Sequence, residues 1–300
     1  MSNHTDKSYL LPANICPCVP ATFLKAHQSF RFIDIDAQTH AIDENKCRKL
    51  FEDSLIGGLL YVHAYGNRAE TNLFVQAKEL GWLVIEDCCL CEPLINNNGI
   101  NNVDLQIYST GYAKYIELPY GGGFGYVADS CDYYEYAIDY SIQDETLQLQ
   151  HIKDCLYDGL SYSLPYDYRW LNGEKLTKSL KEYIVDVDNG IAQIRKHKEK
   201  INSIYDKIIP QRLQMGNQFK QWRYMLLVEH RDALLKTIFD AGYFVGTNYP
   251  SVSHMYTGVE CPIAENETLK LLNLFNDFRV SEEAAEAVAK IIKEFYEREE

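Results

Sequence analysis

Three hundred residues, 46% of them apolar and 24% charged, suffice to bury a sizeable core and suggest a large domain over 1–208 followed by a smaller one over 209–300. A formal charge of −14, with Lys and Arg nowhere clustered, argues against a nucleic-acid partner or an anionic membrane surface. No apolar run approaches the length of a membrane span and residues 1–8 hold no apolar signal core, so a cytoplasmic protein is expected.

In chain order, Tyr9–Leu11 reads as a short strand halted by Pro12, Ala21–Ala26 as a short helix and Phe30–Ile35 as the next strand. Alternation in these runs is weak, as it is when a sheet is covered on both faces. Asp34 and Asp36 read as solvated strand-end acids. Gly57–Tyr65 is a third strand. Ala69–Leu80 is a helix with Leu73, Phe74, Ala77 and Leu80 on one stripe, stopped by Gly81, and Trp82–Glu86 is a fourth strand. Strand, helix and strand in that order predict two parallel strands joined by a crossover, which sets Asp87 at the same sheet edge as Tyr65 and Gly66. A polar, Asn-rich loop over 92–103 leads to strand Asp104–Ser109, and Lys114 follows on the turn beyond it. Gly121, Gly122, Gly123 and Gly125 lead into a strand, Phe124–Ala128, rather than a helix. They read as a tight turn passing close to the lysine, not as a phosphate cradle. Neither a Gly-x-Gly-x-x-Gly before a helix nor a Walker loop occurs, which weighs against nicotinamide and ATP sites.

Residues 131–150, rich in Tyr and acids, are expected to be helical in part, with Tyr133, Tyr134 and Tyr136 read as core aromatics rather than interface anchors. Ile191–Ile208 is a long amphipathic helix linking the domains, with Ile201, Ile204, Tyr205 and Ile208 at helical spacing and Pro210 beyond it. The remainder predicts strand Trp222–Val228, helix Asp232–Ala241 closed by Gly242, and strand Leu271–Phe275. Ser281 caps a last helix with Glu282 and Glu283 in its first turn and Val288, Ile291, Ile292 and Phe295 buried. An α/β large domain is thus followed by an α+β small one.

Nine cysteines without a secretory signal are expected as reduced thiols. Cys16, Cys18, Cys88, Cys89 and Cys91 come together if both segments sit at strand ends. Zinc is the sharper reading of that group, small half-buried thiols the plainer one; no metal site is assigned. The eight histidines lack paired spacing, and His63 reads as a strand-end hydrogen-bonding residue rather than a ligand or base.

The groups that carry chemistry follow the fourth and fifth strands. In an open parallel sheet a ligand lies at the carboxyl ends of the strands, where Asp87, Ser109 and Lys114 would converge. An amine able to form a Schiff base, a carboxylate that keeps a pyridine nitrogen protonated and a hydroxyl that takes a phosphate oxygen are the groups pyridoxal phosphate requires. On spacing alone, a purely structural role at strand ends is the more economical reading.

Leu11-Pro12-Ala13-Asn14-Ile15-Cys16, Phe32-Ile33-Asp34-Ile35-Asp36, Val62-His63-Ala64-Tyr65-Gly66, Val84-Ile85-Glu86-Asp87-Cys88-Cys89 and Ser109-Thr110-Gly111-Tyr112-Ala113-Lys114 stand in the order seen in the DegT/DnrJ/EryC1/StrS aminotransferases. The chain resembles that family from about Tyr9 to its last helix, most specifically in the Ser-x-x-x-x-Lys element. The resemblance implies fold type I: a mostly parallel sheet in the large domain, a smaller C-terminal α+β domain, and pyridoxal 5'-phosphate as cofactor. It implies that Lys114 carries the cofactor, Asp87 faces its ring nitrogen, Ser109 binds its phosphate, and Cys16 occupies the position that stacks on the ring. It further implies amination of a nucleotide-linked keto sugar by an amino-acid donor, glutamate, in a homodimer whose sites are completed across a two-fold.

Several positions depart from the family's pattern. Leu90 stands where a Gln or His often contacts the cofactor oxygen, Cys16 where an aromatic residue is common, and Asp167 where an Asn reaches the partner subunit's phosphate. The chain is also expected to begin at the family's second structural segment, without the Gly-Ser/Thr-x-Ala-Leu element that supplies phosphate-binding amides. The alternative to an active enzyme is therefore a non-catalytic or shortened relative serving as a binding or dimerisation module.

Overall fold

The computed structural model describes residues 6–95, 102–129, 131, 138–163, 168–173, 178–256 and 258–298. Tyr133, Tyr134, Tyr136, Asp167 and residues 96–101 of the Asn-rich loop lie outside them. β1 (Ser8–Pro12) leads to α1 (Cys18–Lys25), β2 (Phe30–Ile33), the short α2 (Glu44–Arg48) and β3 (Ile56–Val62). α3 (Leu73–Glu79), β4 (Leu83–Asp87), β5 (Leu105–Ser109) and β6 (Gly123–Val127) follow. These six strands form one sheet in the order β2-β1-β3-β4-β5-β6, parallel except for β6, which runs antiparallel to β5. The β3–α3–β4 unit has the parallel register the sequence predicts, Val62 lying opposite Asp87.

Apolar clusters cover both faces of this sheet. On one, Tyr9, Leu11, Leu60 and Ile85 pack against α1 and against α4 (Ile142–Asp158); on the other, Leu10, Leu59, Tyr61 and Val84 pack against α2 and α3. Successive strand residues point to opposite faces, which is why both members of each pair are buried and the sequence shows no alternation.

α5 (Leu180–Ile208) joins the two parts of the chain and begins 11 residues before the predicted Ile191. A capping box between Ser179 and Glu182 starts it. Its first half packs Tyr183, Val187 and Ile191 on Tyr115, Ile116 and Leu118, and its second half sends Ile201 and Tyr205 into a separate core. That core is built from β7 (Tyr224–Leu227) and β8 (Leu271–Leu274), an antiparallel pair, with α6 (Arg231–Asp240) and α8 (Glu282–Glu297). Ser281 caps α8 as predicted. Its buried stripe centres on Ala285, Val288, Ala289 and Ile292, with Ile291 and Phe295 only partly covered.

Two helices have no counterpart in the sequence reading, the short α2 and a second one late in the chain. α7 (Pro262–Thr268) returns to the large sheet, where Ala264 and Cys261 pack on Ala13 and Ile35. It also corrects the reading of Asp34, which is 3% exposed rather than solvated. The Asp34 carboxylate accepts the N–H groups of Ile263 (3.1 Å) and Ala264 (3.0 Å) at the start of α7, and Lys46 Nζ reaches it at 3.2 Å. Asp36 does sit at the surface, closing a turn on the N–H groups of Gln38 and Thr39.

Candidate active site

Lys114, Asp87 and Cys16 meet. Together with Asn14, Tyr65, Cys89, Leu90 and Tyr249 they line one cavity at the carboxyl ends of β1, β3 and β4. Ser109 is not among its walls: it ends β5 beside the glycine turn, its Oγ accepting the N–H of Gly111 at 3.3 Å. The glycine turn itself runs along β5, with Thr110 bonded to the carbonyls of Gly121 and Gly122.

The turn carrying Lys114 is held from both sides. Ala113 adopts a left-handed conformation (φ 56°), which costs an L residue roughly 1–2 kcal/mol. Its N–H donates to Glu117 at 2.8 Å and its carbonyl accepts the indole N–H of the buried Trp222 at 2.7 Å. Trp222 stacks on Tyr249 with ring centroids 5.6 Å apart, and the Tyr249 hydroxyl lies 3.5 Å from Lys114 Nζ. Burial disfavours charge on Lys114, but Tyr249, Cys89, Cys16 and Asp87 outweigh it and raise its pKa above the ordinary lysine value. Asp87 is fixed by the N–H of Cys89, which donates to its Oδ1 at 2.8 Å. Cys16 is pushed down to about 7, first by a hydrogen bond from the Cys18 thiol and then, against the cost of burial, by the Lys114 ammonium.

A polar network unseen in the sequence supports the floor. Tyr65, itself left-handed at φ 54°, donates to Glu267 at 2.6 Å, and His40 Nδ1 meets the other oxygen of the same carboxylate at 2.6 Å. Gly66 follows at φ 83°, where any Cβ would stand 2.7 Å from the carbonyl of Leu90 and 3.2 Å from Trp222. Only glycine lets these segments approach. Leu90 faces Trp222 and Tyr65 in an apolar cluster and offers no polar group to a ligand.

The cavity holds about 30 Å³, room for about one water. Lys114 also lines a cleft of about 550 Å³ walled by Glu117, Asn189, Gln193 and Arg279. The donor set therefore suits pyridoxal phosphate, an amine and a carboxylate at parallel strand ends, while its ring needs more room than the cavity between them holds. A third space, about 820 Å³, is lined by Arg68, Cys91, Lys198 and Lys220. Lys198 donates to the Trp222 carbonyl at 2.6 Å and to Asn276 at 2.7 Å, and burial pushes its pKa down to about 7. The sequence marks Lys198 only as a position on a helix.

The expected grouping of cysteines is half met. Cys16 and Cys89 share the Lys114 cavity, whereas Cys88 and Cys91 point to the opposite face of β4, packed with Tyr108. They are buried rather than half-buried, at 0% and 3% exposed. His63 follows the end of β3, its Nε2 lying 2.6 Å from Glu86.

No family model and no curated protein matches the chain. Solved structures do. A DegT/DnrJ/EryC1/StrS aminotransferase from Brucella abortus superposes with a TM-score of 0.63 at 14% identity, over 97% of this chain and 79% of that one. The fold is that of these aminotransferases. The PLP form of Spr1654 from Streptococcus pneumoniae matches at 0.67 and 14% identity, covering 98% and 81% of the two chains. The sugar aminotransferase CalS13 from Micromonospora echinospora matches at 0.62 and 17% identity, over 97% and 81%. The aminotransferase fold here is fold type I, a mostly parallel six-stranded sheet with helices on both faces. No described helix is long and apolar enough to cross a membrane.

Proposed function

We propose that this chain is a member of the DegT/DnrJ/EryC1/StrS family: a pyridoxal-phosphate-dependent aminotransferase that takes an amino group from glutamate and delivers it to a nucleotide-linked keto sugar. The observation that carries the reading is the convergence of Lys114 and Asp87 on one cavity at the carboxyl ends of parallel strands. Sugar aminotransferases among the structural neighbours support a sugar as the acceptor. When bound, the cofactor supplies an electron sink for the carbon that loses or gains a proton.

The chain's own residues do the rest. Lys114 Nζ would hold the cofactor and, as a free amine, move the proton between carbon centres. Asp87 would keep the proton on the pyridine nitrogen, an anion favouring the charged ring. Cys16 would stand at the stacking position, and the Ser109 hydroxyl, which lies outside the cavity and accepts the Gly111 N–H, would take a phosphate oxygen only beyond the cavity's present walls. Trp222 and Glu117 hold the backbone beside Lys114 from both sides, which orients the amine. The adjoining cleft, with Asn189, Gln193 and Arg279, has the polar walls a sugar needs, and a second copy of the chain is the partner proposed to complete it.

The narrow cavity and the apolar Leu90 favour a second reading, a non-catalytic relative that keeps the fold for binding or dimerisation. A half-reaction separates the two. Protein loaded with cofactor and given glutamate alone should release one equivalent of 2-oxoglutarate per site, and added keto sugar nucleotide should make release continuous. Cofactor retained without any 2-oxoglutarate would favour the non-catalytic reading.

A further inference from the structure

The strand that delivers Asp87 to one face of the sheet delivers Glu86 and Cys88 to the other, and there they meet His63 at the end of β3. One donor atom from each of His63, Glu86 and Cys88 lies within 4.8 Å of the others. All three residues are buried, His63 at 1% exposed. Cys88 and Cys91 have Cys-x-x-Cys spacing, and a turn closed by the Cys91 N–H on the Cys88 carbonyl brings their thiols together.

The histidine is oriented. Arg68 donates to Tyr108 (2.6 Å), Tyr108 to Gln106 (3.1 Å) and Gln106 Nε2 to Glu86 Oε2 (2.5 Å), while Glu86 Oε1 takes His63 Nε2 at 2.6 Å. This chain of donors leaves the other ring nitrogen to act. Nδ1 is buried with no hydrogen-bond partner, and the Cys88 thiol lies beside the ring. A carboxylate holding one imidazole nitrogen while the other is presented to soft ligands is how zinc-binding histidines are commonly set.

We propose that His63 Nδ1 and the Cys88 thiol form the core of a binding site for a thiophilic divalent cation of the zinc class, with Glu86 orienting the histidine and the Cys91 thiol, which contacts Cys88 but stands outside the 4.8 Å group, turning in as the third ligand. The charges balance: two thiolates and the Glu86 carboxylate against a divalent cation and Arg68, which faces both cysteines. Cys91 lines the 820 Å³ cleft, which gives the cation a route in. Nitrogen and sulfur donors with no cage of oxygens select zinc over magnesium or calcium. Bound there, the cation ties together both ends of the 88–91 turn that follows Asp87.

The test uses the full chain, reduced and stripped with a chelator, then titrated with Co²⁺ and, separately, Zn²⁺. Co²⁺ should give a near-ultraviolet sulfur-to-metal charge-transfer band at one equivalent, displaced by Zn²⁺. Cys88→Ser and Cys91→Ser should each halve its intensity, and His63→Ala should weaken Zn²⁺ binding at least 100-fold. Glu86→Gln should weaken binding about 10- to 100-fold while keeping the band. Circular dichroism checks that each variant is folded. Zn²⁺ should also raise the melting temperature of the unaltered protein, a readout that needs no variant. Absence of the band in the unaltered protein would overturn the proposal. So would a band that survives both cysteine variants and disappears in Cys16→Ser.

Discussion

Replacing Asp87 with Asn removes one charge and leaves the shape of the site. The amide oxygen can still accept the Cys89 N–H that Oδ1 accepts at 2.8 Å, so only the ionic strengthening of that bond is lost. That costs about 1 kcal/mol of stability. The effect on chemistry is far larger. An interaction with charge that matters in the transition state contributes about 2.7–4 kcal/mol, or 100- to 1,000-fold in rate. Glutamate-dependent release of 2-oxoglutarate should therefore fall at least about 100-fold while the melting temperature barely moves. A second signature follows from Lys114, because Asp87 is one of the groups that raise its pKa. Without that anion the amine loses its proton at lower pH. Cofactor capture requires the uncharged amine, so the pH midpoint of loading should move downward in Asp87→Asn. Stopped-flow mixing with pyridoxal phosphate across pH, paired with single-turnover assays, measures both. Turnover within threefold of the unaltered protein, with an unmoved loading midpoint, would remove Asp87 from the role assigned to it.

Other expectations follow from the same geometry. Alkylation of Cys16 by iodoacetamide should rise through pH about 7, and Lys114→Ala should move that midpoint upward because the ammonium helps hold the thiolate; a midpoint near the ordinary 9.0 in both proteins would refute the contact. Asp34→Ala strands the N–H groups that start α7 and should cost about 2–4 kcal/mol in urea unfolding, a loss within 0.5 kcal/mol contradicting the cap. Tyr249→Ala removes the side chain that stacks on Trp222 beside Lys114 and should speed cofactor capture several-fold, as followed by absorbance; slower capture would mean the ring enters by another route.

Sequence patterns marked the strands and the places where they end, because apolar runs buried on both faces are conspicuous and each stops at a polar residue. That sufficed to bring Asp87 and Lys114 to one edge. What escaped depends on partners distant in the chain. Asp34 is buried by a helix 229 residues later, and Glu267 joins His40 across 227 residues. The first half of α5 was legible in principle from the Ser179–Glu182 capping box and the stripe Tyr183, Val187, Ile191, but Gly190 and the neighbouring acids obscure it. α7 carries only Pro262 at its first position as a signal. Ser109 shows the limit of spacing arguments: it ends the predicted strand and still does not line the cavity. The separation of Cys88 from Cys89 follows from strand alternation, which divides adjacent residues between two faces.

The central claim is that Lys114 carries the cofactor, and the most direct measurement is chemical mapping of the bond. The protein is incubated with pyridoxal phosphate, freed of excess, reduced with borohydride, digested and analysed by mass spectrometry. The account predicts one reduced pyridoxyl group per chain, on the peptide containing Lys114. Label confined to another lysine such as Lys198, or no label at all, would contradict it.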